Sequence, residues 1–195
     1  PAELRRNSDW CAKIHQGSTL SNTFVRLIII LWCFYLNLIF MSLAIVGTVA
    51  FDSIETPSGK ADRVVGGAAS YIALAASHFV REQELISIIG EDFPDEFLST
   101  LKSRGVGTDG LVTIKGGKSF FWEGSYHEDL IGRDTVTTEL NVLEGWIPTI
   151  PENTKSSKYV MLGNLDPSVQ KAVLDQIPTR PHLVVLDTMN FWMDI

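Results

Sequence analysis

A layered α/β domain with a mostly parallel sheet is the fold class this sequence predicts, on three observations. After residue 42, short β-branched runs ending in Gly or Asp alternate with helical segments, the order that builds a parallel sheet covered by helices. A glycine-punctuated stretch rich in β-branched and aromatic residues interrupts that order after Gly105. The length of 195 residues, with 45 % hydrophobic and 20 % charged residues, suits a domain with a sizeable core.

The elements follow in order. "LAIVGTVAFD" (43–52) predicts a first strand, and "DSIETPSGKADRVV" (52–65) a polar loop with room for a short strand. "AASYIALAASHFV" (68–80) is a helix with small and apolar residues on every side, and "ELISIIG" (84–90) is a strand. "PDEFLSTLKSRG" (94–105) is a helix with Pro94 near its first turn and Gly105 as its stop. The segment 110–140 has no helical period and predicts two to four antiparallel strands or hairpins. "KYVMLGNLDPSVQKAVLDQI" (158–177) reads strand, turn, helix, with Asp166 as N-cap and Pro167 at the first helical position. "HLVVLDTMNFW" (182–192) is a further strand, whose polar end carries Asp187 and Asn190.

The first forty residues differ in kind. They hold both cysteines, Cys11 and Cys33, and carry four basic and two acidic residues, whereas the whole chain has a formal charge of −7. Residues 27–51 carry no charged side chain, with Arg26 on one flank, a membrane-span candidate by length. Because the end of that run doubles as the first strand, residues 1–40 are expected to be an extension outside the functional domain. A membrane or signal segment at 24–40 is the minority reading, and a cytoplasmic protein the main one. The chain begins with Pro1, and Met41 stands just before the first strand, where a reading frame could start.

The acidic balance argues against a nucleic-acid surface. Two cysteines make no disulfide framework, and His15, His78, His127 and His182 are scattered, so no metal cluster is indicated.

In an open α/β sheet, ligands bind beyond the carboxyl ends of the strands. This selects Asp52, Gly66 with Gly67, Gly90 with Asp92, Gly163 with Asn164, and Asp187 with Asn190. Carboxylates accept paired sugar hydroxyls, amides both donate and accept, and glycine lets the backbone approach a ligand. The competing structural readings are a turn for Asp52, Gly66–Gly67 and Asn164, and a helix cap for Asp92. Trp122 and Tyr126 read as sheet-packing aromatics, with ligand-facing positions as the alternative. Phosphate-loop, nucleophile-elbow and dinucleotide signatures are absent from the sequence. The residues themselves lead to a polyol-binding α/β domain.

An "IVG" strand leading to an Asp, a Gly-Gly before a helix of small residues, a G-x-D, and then a β-structured insertion together resemble the N-terminal half of a ribokinase-like (PfkB-type) carbohydrate kinase. The resemblance covers about residues 42–195. It implies a ribokinase-like three-layer fold, truncated at the C-terminus, with 41–195 a partial kinase domain and 107–140 a small antiparallel β lid. It further implies that Asp52 binds substrate hydroxyls, that Gly66 and Gly67 lie at the substrate and closure hinge, and that the lid covers a sugar. The family signature has Asn at the place of Tyr71, so a phenol replaces an amide there. Substrate contacts are expected at Asp52, Gly66, Gly67, Tyr71 and Asn164.

For the intact enzyme the resemblance implies transfer of the ATP γ-phosphoryl to a substrate hydroxyl with Mg2+. The catalytic aspartate, the anion hole and most of the nucleotide pocket are expected beyond Ile195, so this chain alone is expected to show no kinase turnover. A homodimer through the lid is a further expectation. The competing classes are a non-catalytic sugar- or nucleoside-binding module and a membrane-anchored interaction protein.

Overall fold

The computed structural model describes residues 42–188, together with Arg26 and Ile28. Contacts divide the chain into Pro1–Asn37 and Leu38–Ile195. The two described residues of the first unit are helical, and everything below concerns the second unit. Apart from those two, the readings that fall on residues 1–41, and the reading of Asn190, lie outside the described residues. No helix among the described residues is long and apolar enough to cross a membrane.

In chain order the elements are β1 (Ser42–Val46), β2 (Ala50–Thr56), β3 (Gly59–Gly66), α1 (Ala68–Ala76), β4 (Glu82–Gly90) and α2 (Asp95–Ser103). There follow β5 (Val106–Gly107), β6 (Leu111–Ile114), β7 (Phe120–Tyr126), β8 (Arg133–Glu139), β9 (Tyr159–Leu162), α3 (Pro167–Asp175) and β10 (Leu183–Leu186). Two sheets result. The central one runs β10-β9-β1-β4, with β5 and β6 both alongside β4, and every one of its pairings is parallel. The second runs β3-β2-β7-β8. It consists of two antiparallel hairpins, β2/β3 and β7/β8, joined by a parallel β2/β7 pairing.

Side-chain alternation in the central strands explains the three layers. On β1, Ile45 faces a core cluster with Ala69 and Ala73 of α1, Leu101 of α2, and Leu85 and Ile89 of β4. Ala44 and Val46 face the opposite cluster with Val160 and Leu162 of β9 and Val173 of α3. Both faces of β1 and β4 are covered, which is why these two strands read as continuous apolar runs, whereas the outer strands β6 and β10 are mostly exposed.

The helix ends match their expected chemistry. Asp166 caps α3 by accepting the Ser168 N–H at 2.7 Å, with Pro167 in the first turn. Gly105 follows α2 with φ 74°, the left-handed stop that glycine adopts without strain. The cap reading of Asp92 fails: α2 starts at Pro94 with no side-chain cap.

Three expectations about the strands are corrected. The stretch 43–52 is two strands in two sheets, because the chain turns at Gly47–Val49, so Asp52 lies within β2 and does not end β1. The polar stretch 52–65 is strand along most of its length. Its β3 part is exposed over most of its residues, so it is held by pairing with β2 and shows no apolar alternation to read. The lid is also not one insertion at 107–140: β5 and β6 join the central sheet, while β2 and β3 supply half of the lid sheet.

Gln83, on β4, is only 7 % exposed, and neither atom of its side-chain amide has a hydrogen-bond partner. A buried polar group without a partner costs about 1–3 kcal/mol. Gln83→Met should therefore raise stability by about 1 kcal/mol in urea denaturation. A loss of stability would show that the amide is satisfied in solution.

Candidate active site at the carboxyl edge of the sheet

The chain adds β4 on one side of β1 and β9 on the other. That reversal makes the carboxyl ends of β1 and β9 the switch point at which open α/β sheets bind ligands. Gly47 follows β1 and Gly163 follows β9, and they meet there: the Gly163 N–H donates to the Val46 carbonyl at 2.7 Å. A Cβ on Gly47 would sit 3.1 Å from that of Ala69, and one on Gly163 would sit 3.2 Å from that of Ala68. The small residues opening α1 let the helix start lie directly against the two strand ends.

Thr48 fixes that arrangement. Its Oγ1 accepts the Ala68 N–H at 3.1 Å, and its carbonyl accepts the Ala69 N–H at 3.0 Å. The N-cap residue Gly67 makes no side-chain cap, so a threonine twenty positions upstream serves the first amides of the helix. Gly67 has φ 88°, and a Cβ there would lie 2.8 Å from the Thr48 carbonyl carbon and 2.9 Å from the Ala50 nitrogen. Conformation and contact both require glycine.

Asp52 and Gly66 are brought together. A Cβ on Gly66 would fall on the Asp52 carboxylate, so glycine makes room for the acid. Burial raises the Asp52 pKa above its ordinary value of 3.8, and the backbone N–H of Gly67 pulls it partly back. In register, Val64, Asp52, Trp122 and Thr138 run across the lid sheet on one face. The Trp122 ring lies over Gly124, where a Cβ would strike it, and its Nε1 donates to Thr135 Oγ1 at 3.2 Å. Phe51 and Phe121 point the other way, into the core.

The other selected residues are placed differently. Tyr71 is 61 % exposed, and its hydroxyl donates to the Val65 carbonyl at 3.2 Å. Asn164 is half-buried, one residue beyond Gly163. Asp92 binds Ser119 and Arg63. Asp187 donates its backbone N–H to the Leu162 carbonyl at 2.8 Å.

Sequence reasoning missed Thr48 and Gln170. Gln170 on α3 is buried, and its amide nitrogen donates to the carbonyls of Gly163 (2.9 Å) and Asp187 (3.1 Å), tying the ends of β9 and β10. Its place on an apolar helix face was the one available signal.

The raised pKa of Asp52 has a stability consequence with a definite sign. Ionisation is opposed in the folded state, so the fold is disfavoured by it above the folded pKa and unaffected well below 3.8. Asp52→Asn should melt higher than wild type at pH 7, with the gap closing as the pH falls towards 3.8. A lower Tm at pH 7 would show that the carboxylate stabilises the fold. Gly67→Ala should cost about 1–3 kcal/mol for its left-handed backbone alone, read by the same melts.

No family model matches the sequence. The chain is 32 % identical over 139 residues to a cytidine kinase of Thermococcus kodakarensis, covering 70 % of this chain and 48 % of the relative. In structure it is similar to a ribokinase from Cryptococcus neoformans var. grubii serotype A, solved in complex with ADP, with TM-score 0.62 and 19 % identity over 77 % of this chain and 50 % of that one. It is also similar to a nucleoside kinase from Methanocaldococcus jannaschii, an archaeal member of the ribokinase family, with TM-score 0.57 and 18 % identity over 75 % and 52 % of the two chains. The chain thus spans about half the length of the proteins it matches. A central parallel sheet between helices, a two-hairpin lid sheet and these likenesses together give the chain the ribokinase-like α/β fold.

Proposed function

We propose that this chain is the substrate-binding part of an ATP-dependent kinase that phosphorylates a hydroxyl of a sugar, polyol or nucleoside. The observation that carries the reading is the Asp52 carboxylate, held against Gly66 and Gly67 where the lid sheet meets the start of α1. A partly desolvated carboxylate whose neighbours are backbone N–H groups and glycines suits two vicinal hydroxyls, which donate to its two oxygens. Gly67 lies between β3 and α1, so rotation there would carry the β2/β3 hairpin relative to the body. Asn164 and Tyr71 are the further substrate contacts in this reading. The similarity to a cytidine kinase favours a nucleoside among the three substrate classes.

Within the proposal, the whole protein draws its rate from positioning substrate and from neutralising charge on the transferred group. ATP supplies the phosphoryl group, Mg2+ accompanies it, and a cytoplasmic location completes the proposal. Among the described residues no three His, Cys, Asp or Glu side chains group as metal ligands, so no step is assigned to magnesium here. What these residues do is bind and orient the accepting hydroxyl: Asp52 fixes its neighbours and the glycines let the backbone close on them. A second copy packed on the lid, covering exposed Val64 and Val136, is the oligomeric part of the proposal.

Calorimetric titration of the 195-residue chain with cytidine, ribose and fructose tests the reading, alongside an assay for ADP release with ATP and Mg2+. At least one of the three should bind, and Asp52→Asn should weaken that binding by about 2 kcal/mol or more, some thirtyfold. ADP release is expected from the longer protein and not from this chain. Equal binding by wild type and Asp52→Asn would remove Asp52 from the site. Robust turnover by this chain would remove the division of labour.

A further inference from the structure

A single carboxylate fastens both hairpins of the lid sheet to the body. Asp92, two residues beyond β4, accepts at Oδ1 from the Ser119 N–H (2.8 Å) and from the Ser119 Oγ–H (2.8 Å). Its Oδ2 accepts from Arg63 Nη2 at 2.6 Å. Ser119 stands at the root of β7, and its Oγ in turn accepts the Gly90 N–H at 2.9 Å. Its carbonyl accepts from Asn141 Nδ2 at 3.0 Å, just past the end of β8. Arg63 belongs to β3. The β7/β8 hairpin therefore reaches Asp92 through Ser119, and the β2/β3 hairpin reaches it through Arg63.

The strand is built to deliver that arginine. Register between β2 and β3 slips between Asp52 and Ile54, leaving a bulge opposite Ser53. Arg63 lies in the bulge with φ 47°, a conformation uncommon outside glycine. Ser53, fully buried, holds it there by accepting the Arg63 N–H at 2.9 Å and donating to Asp62 Oδ1 at 2.7 Å. The guanidinium then lies 4.2 Å from the centroid of the Phe51 ring. Phe51 packs on Phe93, with centroids 5.0 Å apart, in the body core, and precedes Asp52 in β2.

We propose that Arg63 is a positioning residue: its ion pair with Asp92 and its stacking on Phe51 latch the β2/β3 hairpin to the body and so set where Asp52 presents its carboxylate. The pair suits a latch that opens. The Arg63 and Asp92 side chains are 48 % and 25 % exposed, so salt screens their attraction. Asp92 is held still by Ser119, and Arg63 by its aromatic contact, which reduces the ordering cost that makes most exposed pairs worthless. Phe51 packs on Phe93 and β2 pairs with β7, so loss of the ion pair loosens the β3 side of the hairpin around Arg63 and leaves the body folded. The part that concerns ligand rests on the reading of Asp52 as the hydroxyl-binding group.

Hydrogen exchange across residues 50–66 of the full chain, followed by mass spectrometry, tests the latch. Arg63→Met keeps the stem over Phe51 and removes the charge, while Asp92→Asn keeps the Ser119 bonds and removes the opposite charge. Each should speed exchange in 50–66 by about tenfold, with the double variant no faster than either single one. Arg63→Lys should fall between Arg63→Met and wild type. Raising NaCl to about 0.5 M should speed exchange in wild type and leave Arg63→Met unchanged. Additive effects of the two variants, or salt-independent exchange in wild type, would overturn the latch. If Arg63→Met lowers Tm so far that it unfolds, the comparison of Arg63→Lys and Asp92→Asn carries the same decision.

Cytidine binding to the same proteins tests the positioning. Its Kd should rise in step with exchange across the series, and exchange that rises without any change in Kd overturns the positioning role. Asp52→Asn is the control that separates the two readings. If it binds cytidine as well as wild type does, the hydroxyl-site assignment fails, while the exchange and salt data still decide the latch.

Discussion

Thr48 accepts the first two amides of α1 with its side chain and its carbonyl, and the junction between the two sheets depends on those bonds. The chain leaves β1 at Gly47, crosses to the lid sheet, makes a hairpin and returns at Gly67. Only a return that lands the helix on Thr48 satisfies the donors a helix start leaves open. The landing requires glycine at 67, where a Cβ would meet the Thr48 and Ala50 backbone, and leaves little room at 47, where a Cβ would lie 3.1 Å from that of Ala69. That contact fixes where β3 hands over to α1, and with it the Gly66–Gly67 backbone beside Asp52.

The site is organised around space and charge that the fold does not need for stability. Asp52 sits where burial opposes its ionisation, against a glycine whose absent side chain makes room for it. Burial and the Gly67 N–H act on the carboxylate in opposite senses, with burial the larger. Three other polar side chains near this edge are engaged internally. Gln170 ties the ends of β9 and β10, and Asp92 ties the lid roots. Asp166 caps α3.

The lid sheet differs from the central sheet in what holds it. The inner strands β1 and β4 are buried between two core clusters, whereas β3 and β8 are exposed over most of their residues. Their order comes from pairing, from Phe51 and Phe121 reaching into the body core, and from the contacts at Asp92 and Ser119. The lid sheet is thus held at its root and solvated beyond it.

By itself the sequence determined the layered α/β class, the helix limits at Asp166, Pro167 and Gly105, and the carboxyl-edge residues among which Asp52 and Gly66 prove to be neighbours. These were legible because they rest on local chemistry: apolar runs of strand length, cap residues with short reach, and glycine where no side chain fits. Tertiary structure alone decided the split of 43–52 into strands of two sheets, the strand character of 59–66, and the transfer of 106–114 to the central sheet. It also decided the roles of Thr48, Ser53, Arg63 and Gln170. Each of these depends on a partner remote in sequence: Thr48 on Ala68, Gln170 on Asp187, Arg63 on Asp92. A polar strand on a solvated edge carries no periodicity of its own, since its neighbour's backbone supplies the order.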